Sequence, residues 1–258
     1  MTAFSLGTVW EETIAFLRRE AHLLVPVALA LFGPAQILVM TAMGPSVARP
    51  DSANPQSILA LPGLLLILFG NLAITRIALV PGASVGEALS GAFRRIPVAL
   101  ATCLAIGFSL VAVAIVIIIA AALGMMTSGG SLGADAKDQI SLLIVIPMLI
   151  LFVRLLMLMP VLAMEKGGVI ASIRRTWDLG RGNSLRFLAV FLLSIAINVT
   201  FAMINFIVIG ALAGLLRMLV GGEFVTALQL LVTGLVGALL MLGLTVYVAF
   251  AYRRLISD

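Results

Sequence analysis

Charge is scarce in this sequence of 258 residues, because only 10% of them are Asp, Glu, Lys or Arg. Water-soluble domains carry about 25% charged residues and about 45–50% apolar ones. Here 62% of the residues are hydrophobic, and the mean hydropathy is +1.24. Water therefore cannot solvate most of the surface, which excludes a soluble globular domain.

Cysteine and histidine are almost absent, with Cys103 and His22 as the single examples. One cysteine excludes an internal disulfide framework. Catalytic and metal sites usually need several clustered His, Cys, Asp, Glu or Lys side chains, and no acidic residue lies in the middle of an apolar stretch. We therefore predict a protein that is not an enzyme, with no catalytic residue, metal or cofactor; an ion-coupled pump is also disfavoured.

Long apolar stretches fill most of the chain, at about 22–43, 57–80, 97–125, 140–164, 187–216 and 224–252. A membrane-spanning helix needs roughly 20 apolar residues, so each stretch can cross a bilayer. Backbone groups in lipid must be paired internally, and the stretches do not alternate as barrel strands do. The sequence predicts an all-α integral membrane protein with six transmembrane helices in one membrane domain, 1–258, whose first span is retained.

Positive charge is unevenly distributed between the predicted loops. The side that holds both termini carries eleven of the 16 basic residues: Arg18, Arg19, Arg94, Arg95, Lys166, Arg174, Arg175, Arg181, Arg186, Arg253 and Arg254. The opposite side carries three. Because Lys and Arg accumulate in cytoplasmic loops, this predicts two cytoplasmic termini.

Three basic segments share one helical pattern, at spacings of 79 and 84 residues. They start at Leu6, Val85 and Val169, and apolar or small residues recur at i, i+3, i+4, i+8 and i+11. That spacing indicates one face of a helix. The pattern predicts three internal repeats, at about 4–80, 84–164 and 168–255, each made of an interfacial amphipathic helix and two spans.

Two of these segments also carry the signature of a helix start. Thr8 with Glu11, and Ser84 with Glu87, have the spacing of a capping box. Together the three segments would form a basic cytoplasmic surface that anionic lipid attracts by about 1 kcal/mol for each nearby Lys or Arg. This surface accounts for the pI near 10.3 without a nucleic acid partner.

Two interpretations of the basic surface remain open: it anchors and orients the bundle, or it recruits a lipid headgroup or a protein partner. The residues expected at such an interface are Arg94, Arg95, Glu165, Arg174, Arg175, Trp177 and Arg181.

The segment 160–182 resembles the membrane domain associated with glycerophosphoryl diester phosphodiesterases. Glu165, Gly168, Ala171, Arg175, Thr176, Trp177, Leu179 and Gly182 carry the resemblance. It implies a six-span protein of the bacterial inner membrane, of a kind that also occurs without a catalytic domain. Phosphodiesterase activity is not implied, because that chemistry belongs to a separate soluble barrel with a His pair, and this chain has one His.

Arg154 is the most informative polar residue inside an apolar stretch. It lies ten residues before Met164, which places it about 15 Å from the end of its helix, near mid-bilayer. An Arg at that depth costs roughly 2.5–3.5 kcal/mol. The predicted partners are Gln36, Asn71, Asn198, Asn205 and carbonyls freed by Pro147 and Pro160.

Three interpretations of Arg154 follow: a structural contact between helices, a cation in a cavity for an anionic lipid or other amphiphile, or a side chain that extends to the interface. On the second interpretation, Arg154, Asn71, Asn198 and Asn205 form the candidate amphiphile site. Arg76 is expected to extend to the interface.

Prolines and small residues complete the pattern. Helix breaks are predicted at Pro26, Pro34, Pro62, Pro147 and Pro160, and helix packing at Gly210 with Gly214 and Gly234 with Ala238. The first functional hypothesis is a bacterial inner-membrane protein that binds, senses or moves a lipid or other amphiphile. The alternative is a structural or assembly partner of another envelope protein, through its basic interfacial helices.

Overall fold

The computed structural model describes residues 6–42, 58–128, 145, 147–181, 184–220 and 222–257. Within these ranges all regular structure is helical, without strands. Six helices in the described part are long and apolar enough to cross a membrane: Gly7–Ala42, Ala60–Leu79, Val85–Ala120, Pro147–Met164, Phe187–Met218 and Gly222–Ile256. The prediction of an all-α fold with six helices that can cross a membrane is confirmed for the part of the chain that is described.

The helices are α1 (Leu6–Ala42), α2 (Ala60–Leu79), α3 (Val85–Ser128), α4 (147–155), α5 (Leu158–Met164), α6 (Val169–Gly180), α7 (Ser184–Ile204), α8 (Gly210–Val220) and α9 (Gly222–Ser257). A π-helical turn, Asn205–Ile209, joins α7 to α8. The predicted loops 44–56 and 126–139 lie largely outside the described residues.

The core is formed where α1, α2 and α9 pack closely. Phe32 of α1 is fully buried against α2, and a Cβ at Gly70 would lie 2.4 Å from its ring. Gly234 of α9 is similarly close to Ile37, because a Cβ there would lie 2.9 Å from Ile37 Cγ1. Small residues at these two positions let the helix backbones approach. The packing predicted for Gly234 is confirmed.

The periphery is different, because long parts of α3 and α7 contain no buried residue. No residue from 103 to 120 of α3 is buried, and neither is any residue from 191 to 212. A Cβ at Gly210 or Gly214 would meet no atom within 4 Å. The packing predicted for this glycine pair therefore does not occur against the part of the chain that is described.

A break within a predicted span lies next to Pro160. The chain leaves the helix in a turn at residues 156–157, and α5 resumes with Pro160 in its first turn. Pro26 and Pro34 lie inside the unbroken helix α1, so the breaks predicted there are wrong. Pro160 fits its position because a helix leaves its first amide N–H groups without intrahelical partners.

The basic segments differ in how they join the spans. The first two are the initial turns of α1 and α3, without a helix boundary before the span, whereas the third is the separate helix α6. Ser84 and Glu87 form the predicted capping box: Glu87 N–H donates to Ser84 Oγ at 3.2 Å, and Ser84 N–H to Glu87 Oε2 at 3.1 Å. The cap predicted at Thr8 is wrong, since α1 already begins at Leu6.

Candidate functional site

Four helix ends and links meet at one end of the bundle, which we call the basic end: residues 6–20, 80–97, 163–181 and 250–257. Glu12 of α1 accepts hydrogen bonds from the two guanidinium groups near the end of α9. Arg253 Nη2 lies 3.1 Å from Glu12 Oε2, and Arg254 binds the other carboxylate oxygen. The first and last helices are thereby joined.

Glu165 joins three elements at the basic end. Its Oε1 accepts hydrogen bonds from Arg175 Nε of α6 at 3.1 Å and from the Tyr252 hydroxyl of α9 at 3.0 Å. Charged hydrogen bonds of this kind are stronger than neutral ones. Glu165 and Arg175, both predicted as interface residues, therefore bind each other within the protein.

Two further arginines bind carbonyl oxygens around the end of α5. Arg76 Nη1 donates to Ala163 O at 3.0 Å, and Arg95 Nη1 to Gly167 O at 3.5 Å. The guanidinium of Arg76 crosses directly over Gly91, where a Cβ would lie 2.6 Å from Arg76 Cζ. Arg76 thus reaches the basic end, where it caps a carbonyl at the end of the short helix α5.

Arg154 reaches α6 rather than an amide. Its Cζ lies 4.6 Å from the centre of the Trp177 ring, a geometry that contributes roughly 0.5–2 kcal/mol. Gly180 lies beside it, and a Cβ there would be in ordinary contact with Arg154 Cδ, at 3.9 Å. One guanidinium nitrogen, Nη1, is buried without a hydrogen-bond partner among the described residues.

The four amides predicted as partners of Arg154 contact other groups instead. Asn71 Nδ2 donates to Ile67 O, and its Oδ1 accepts from the Thr245 hydroxyl at 2.7 Å, which links α2 to α9. Asn198 Nδ2 donates to Ser194 O of its own helix. The helix break after residue 155 explains the difference, because Arg154 then extends to α6 instead of into the bundle.

The remaining predicted interface residues face outward. Arg94 and Arg174 are exposed and form no ion pair or hydrogen bond with any residue that the structure describes. Arg181 is exposed and lies 3.7 Å from Asp178. Arg94 and Arg174 are thus available to an external anion, unlike Arg95 and Arg175.

A lateral groove separates α7 from the rest of the bundle. Phe187 and Val190 anchor the start of α7 in the core, and Ala213 and Val225 are buried where α8 meets α9. Between these two anchors, residues 191–212 are never buried. The resulting cavity of about 910 Å³ lies between α7, the π-helical turn and the facing sides of α1 and α9.

Side-chain amides line this groove. Asn205 Nδ2 donates to Thr233 Oγ1 at 2.8 Å, across the groove from α9. Gln36 Nε2 contacts only the sulfur of Met241, at 3.7 Å. Gln229 lines the groove without a hydrogen bond to a described residue, so the groove holds an amide whose donors and acceptor no described residue uses.

The groove continues toward the basic end as a narrower cavity of about 150 Å³. Asn198, Leu240 and Leu244 line both cavities, so the two are adjacent. Tyr247 lines this second part, and its hydroxyl is buried without a partner among the described residues. Its ring packs edge-on against Trp10, with centroids 6.0 Å apart.

The predicted site is therefore divided. Asn198 and Asn205 line the groove, whereas Asn71 lies between α2 and α9 and Arg154 lies at α6. Gln229 and Thr233 were missed by the sequence analysis. Their spacing of four residues, like that of Ser194 and Asn198, places them on one helix face and could have revealed them.

Within the described ranges, no group of three or more His, Cys, Asp or Glu side chains could hold a metal ion.

Comparison of the chain with protein-family models, with curated proteins and with solved structures found no match. The resemblance of residues 160–182 to the phosphodiesterase-associated membrane domain stays a prediction.

Proposed function

We propose that this membrane protein binds a lipid or other amphiphile in the groove between α7 and the α1–α9 pair, and that it is not an enzyme. The observation that carries the proposal is Gln229 in the groove wall, whose hydrogen-bonding groups the described residues leave unused. Unpaired polar groups are costly at membrane depth. A ligand's polar group would satisfy them while its apolar chains remain in lipid.

Arg154 has a different role in this proposal from the one the sequence suggested. Its contact with Trp177 supports a structural function, in which it holds α6 against the bundle. The amphiphile site consists of Asn198, Asn205, Gln229 and Thr233, without Arg154 and Asn71.

We also propose the bacterial inner membrane as the location, with the basic end in the cytoplasm. The excess of Lys and Arg at that end supports this orientation. The resemblance of 160–182 to a family of inner-membrane proteins points the same way.

The threefold repeat is part of the proposal as well. Positions 9, 88 and 172, which the repeat makes equivalent, are Val, Ala and Ser, and all three are buried. The next set, Thr13, Ala92 and Thr176, is buried too. In the first and third copies the threonine hydroxyl donates to the carbonyl four residues earlier, at 2.7 and 2.8 Å.

The test of amphiphile binding is lipid analysis of the protein purified with its bound native lipid, relative to bulk membrane. We expect one lipid class to be enriched, and Gln229→Leu to reduce that enrichment about fivefold, because one hydrogen bond contributes roughly 1 kcal/mol. Thr200→Leu is the matched control, since Thr200 is exposed and lies outside the groove lining. A profile identical to bulk membrane in the unaltered protein would contradict the proposal.

A second candidate function is assembly with another envelope protein at the basic end. The exposed, unpaired Arg94 and Arg174 favour it. Crosslinking in intact cells should then capture one reproducible protein, and Arg94→Ala with Arg174→Ala should remove it. Arg19, exposed but bound to Glu20 at 3.0 Å, provides the control substitution Arg19→Ala.

A further inference from the structure

Polar side chains recur along the groove across the depth of a bilayer. On α9, Gln229, Thr233 and Tyr247 share one helix face, and all three line the two adjacent cavities. The eighteen helical steps from Gln229 to Tyr247 rise about 27 Å. The hydrocarbon core of a bilayer is about 30 Å thick, so the polar residues at the two ends of this face are separated by nearly its whole depth, with apolar residues of α9 between Thr233 and Tyr247.

The opposite wall of the groove follows the same pattern. Ser194, Asn198 and Asn205 lie on one face of α7 and its π-helical turn, and each lines the groove. Successive polar groups four residues apart are about 6 Å apart along the axis. Ser194 and Asn198 are one such pair, and Gln229 and Thr233 are another. Asn198 and Asn205 are seven residues apart, which is about 10.5 Å along the axis.

The described lining of both cavities contains no Asp, Glu, Lys, Arg or His. A phosphate would enter the groove without a cation to balance its charge, which is costly in a low-dielectric environment. Amides and hydroxyls both donate and accept hydrogen bonds, and so do the hydroxyls of an uncharged sugar. The chemistry of the wall therefore favours an uncharged headgroup with several hydroxyls.

The groove is also open to the surrounding lipid. The exposed side chains of Val199 and Phe206 lie at its outer edge, and residues 191–212 include none that is buried. Acyl chains could therefore stay in the membrane while a headgroup moves along the wall. A closed binding cavity would instead enclose the whole ligand.

We propose that this groove conducts the uncharged, hydroxyl-bearing headgroup of a glycolipid from one leaflet to the other. The inference rests on the proposed amphiphile binding, and it adds the class of headgroup and the movement across the bilayer. No chemical step or energy source is involved, because the lipid moves down its own gradient between equivalent polar sites.

The experiment uses phosphatidylcholine vesicles that contain the full-length protein and one fluorescent lipid. Short-chain NBD-labelled glucosylceramide is compared with the ceramide phosphate that has the same labelled chain. Dithionite bleaches the outer leaflet at once and the inner leaflet only after transbilayer movement. We expect the protein to accelerate inner-leaflet bleaching of glucosylceramide by at least about tenfold over protein-free vesicles, and that of ceramide phosphate much less.

Two variants separate the groove from general disturbance of the bilayer. Asn198→Leu should lose most of the acceleration, because Asn198 lies where the two cavities meet. Thr200→Leu, on the same helix and outside the lining, should retain it. If both variants retain it, or if both probes move equally fast, the proposal is overturned.

A binding measurement on the same samples distinguishes the two proposals. Native mass spectrometry that detects retained glucosylceramide without accelerated movement would overturn transport and leave binding in place. Neither retention nor movement of any native or labelled lipid would overturn both. Faster movement of ceramide phosphate than of glucosylceramide would overturn the assigned headgroup class.

Discussion

The basic end and the groove share helices α1 and α9, yet they differ in how their polar side chains are bonded. At the basic end Glu12 and Glu165 each bind two partners from other parts of the chain. In the groove, Gln229 binds none of the described residues, and Gln36 reaches only a sulfur. Polar groups that bind each other stabilise a fold, whereas unsatisfied ones are free to bind something else.

The largest loss of stability is expected at Glu165. Glu165→Ala leaves Arg175 and the Tyr252 hydroxyl without their shared acceptor, which should lower the free energy of unfolding by about 2 kcal/mol. Thermal unfolding in detergent measures the loss. Lys166→Ala is the control, because Lys166 is the exposed neighbour and forms no ion pair with a described residue. If Glu165→Ala and Lys166→Ala had equal effects, the hydrogen bonds of Glu165 would not contribute to stability. The basic end would then not differ from the groove in this respect.

An intermediate effect is expected at Arg154. Arg154→Leu removes the contact with the Trp177 ring and should lower stability by roughly 1 kcal/mol. The chain has two tryptophans, so a Trp10→Phe background makes Trp177 the reporter, and its emission should shift on substitution. Arg154→Lys should preserve part of the contact. Loss of selective lipid retention with unchanged Trp177 emission would restore Arg154 to the amphiphile site.

The smallest effect on stability is expected in the groove. Gln229→Leu should change the free energy of unfolding by less than about 0.5 kcal/mol, because no described residue loses a hydrogen bond. The same preparation should show reduced lipid retention. A substantial loss of stability would indicate that Gln229 belongs to the internal packing, and the comparison between the regions would then fail.

The spans could be predicted because hydropathy alone decides which segments enter lipid. The capping box at Ser84 could also be predicted, because its two partners, Ser84 and Glu87, lie within four residues of each other in the sequence. Arg154 was placed correctly in the sequence but assigned amide partners that contact other groups. The direction of the Arg154 side chain depends on the turn at residues 156–157. The sequence analysis assumed one regular helix from Arg154 to Met164, so it did not include this turn.

The groove could not be predicted from the sequence, because it depends on how far α7 diverges from α9. Asn198 and Asn205 were recognised as unusual polar residues in an apolar stretch, but nothing local relates them to Gln229. Likewise, a basic residue looks the same in sequence whether it is bound, as Arg175 is, or exposed, as Arg174 is.

The π-helical turn Asn205–Ile209 has a genetic consequence for the continuous helix that α7 and α8 form. Such a turn contains one residue more than an α-helical turn, and each helical residue rotates the chain by about 100°. Deleting a single codon here would replace the π-helical turn with an α-helical turn of about the same rotation, so α8 would keep its orientation and Ala213 its buried position. We therefore expect this turn to accept the loss of one residue, and substitutions at the exposed Phe206 or Val208, whereas a one-residue deletion elsewhere in α7 or α8 would rotate everything beyond it.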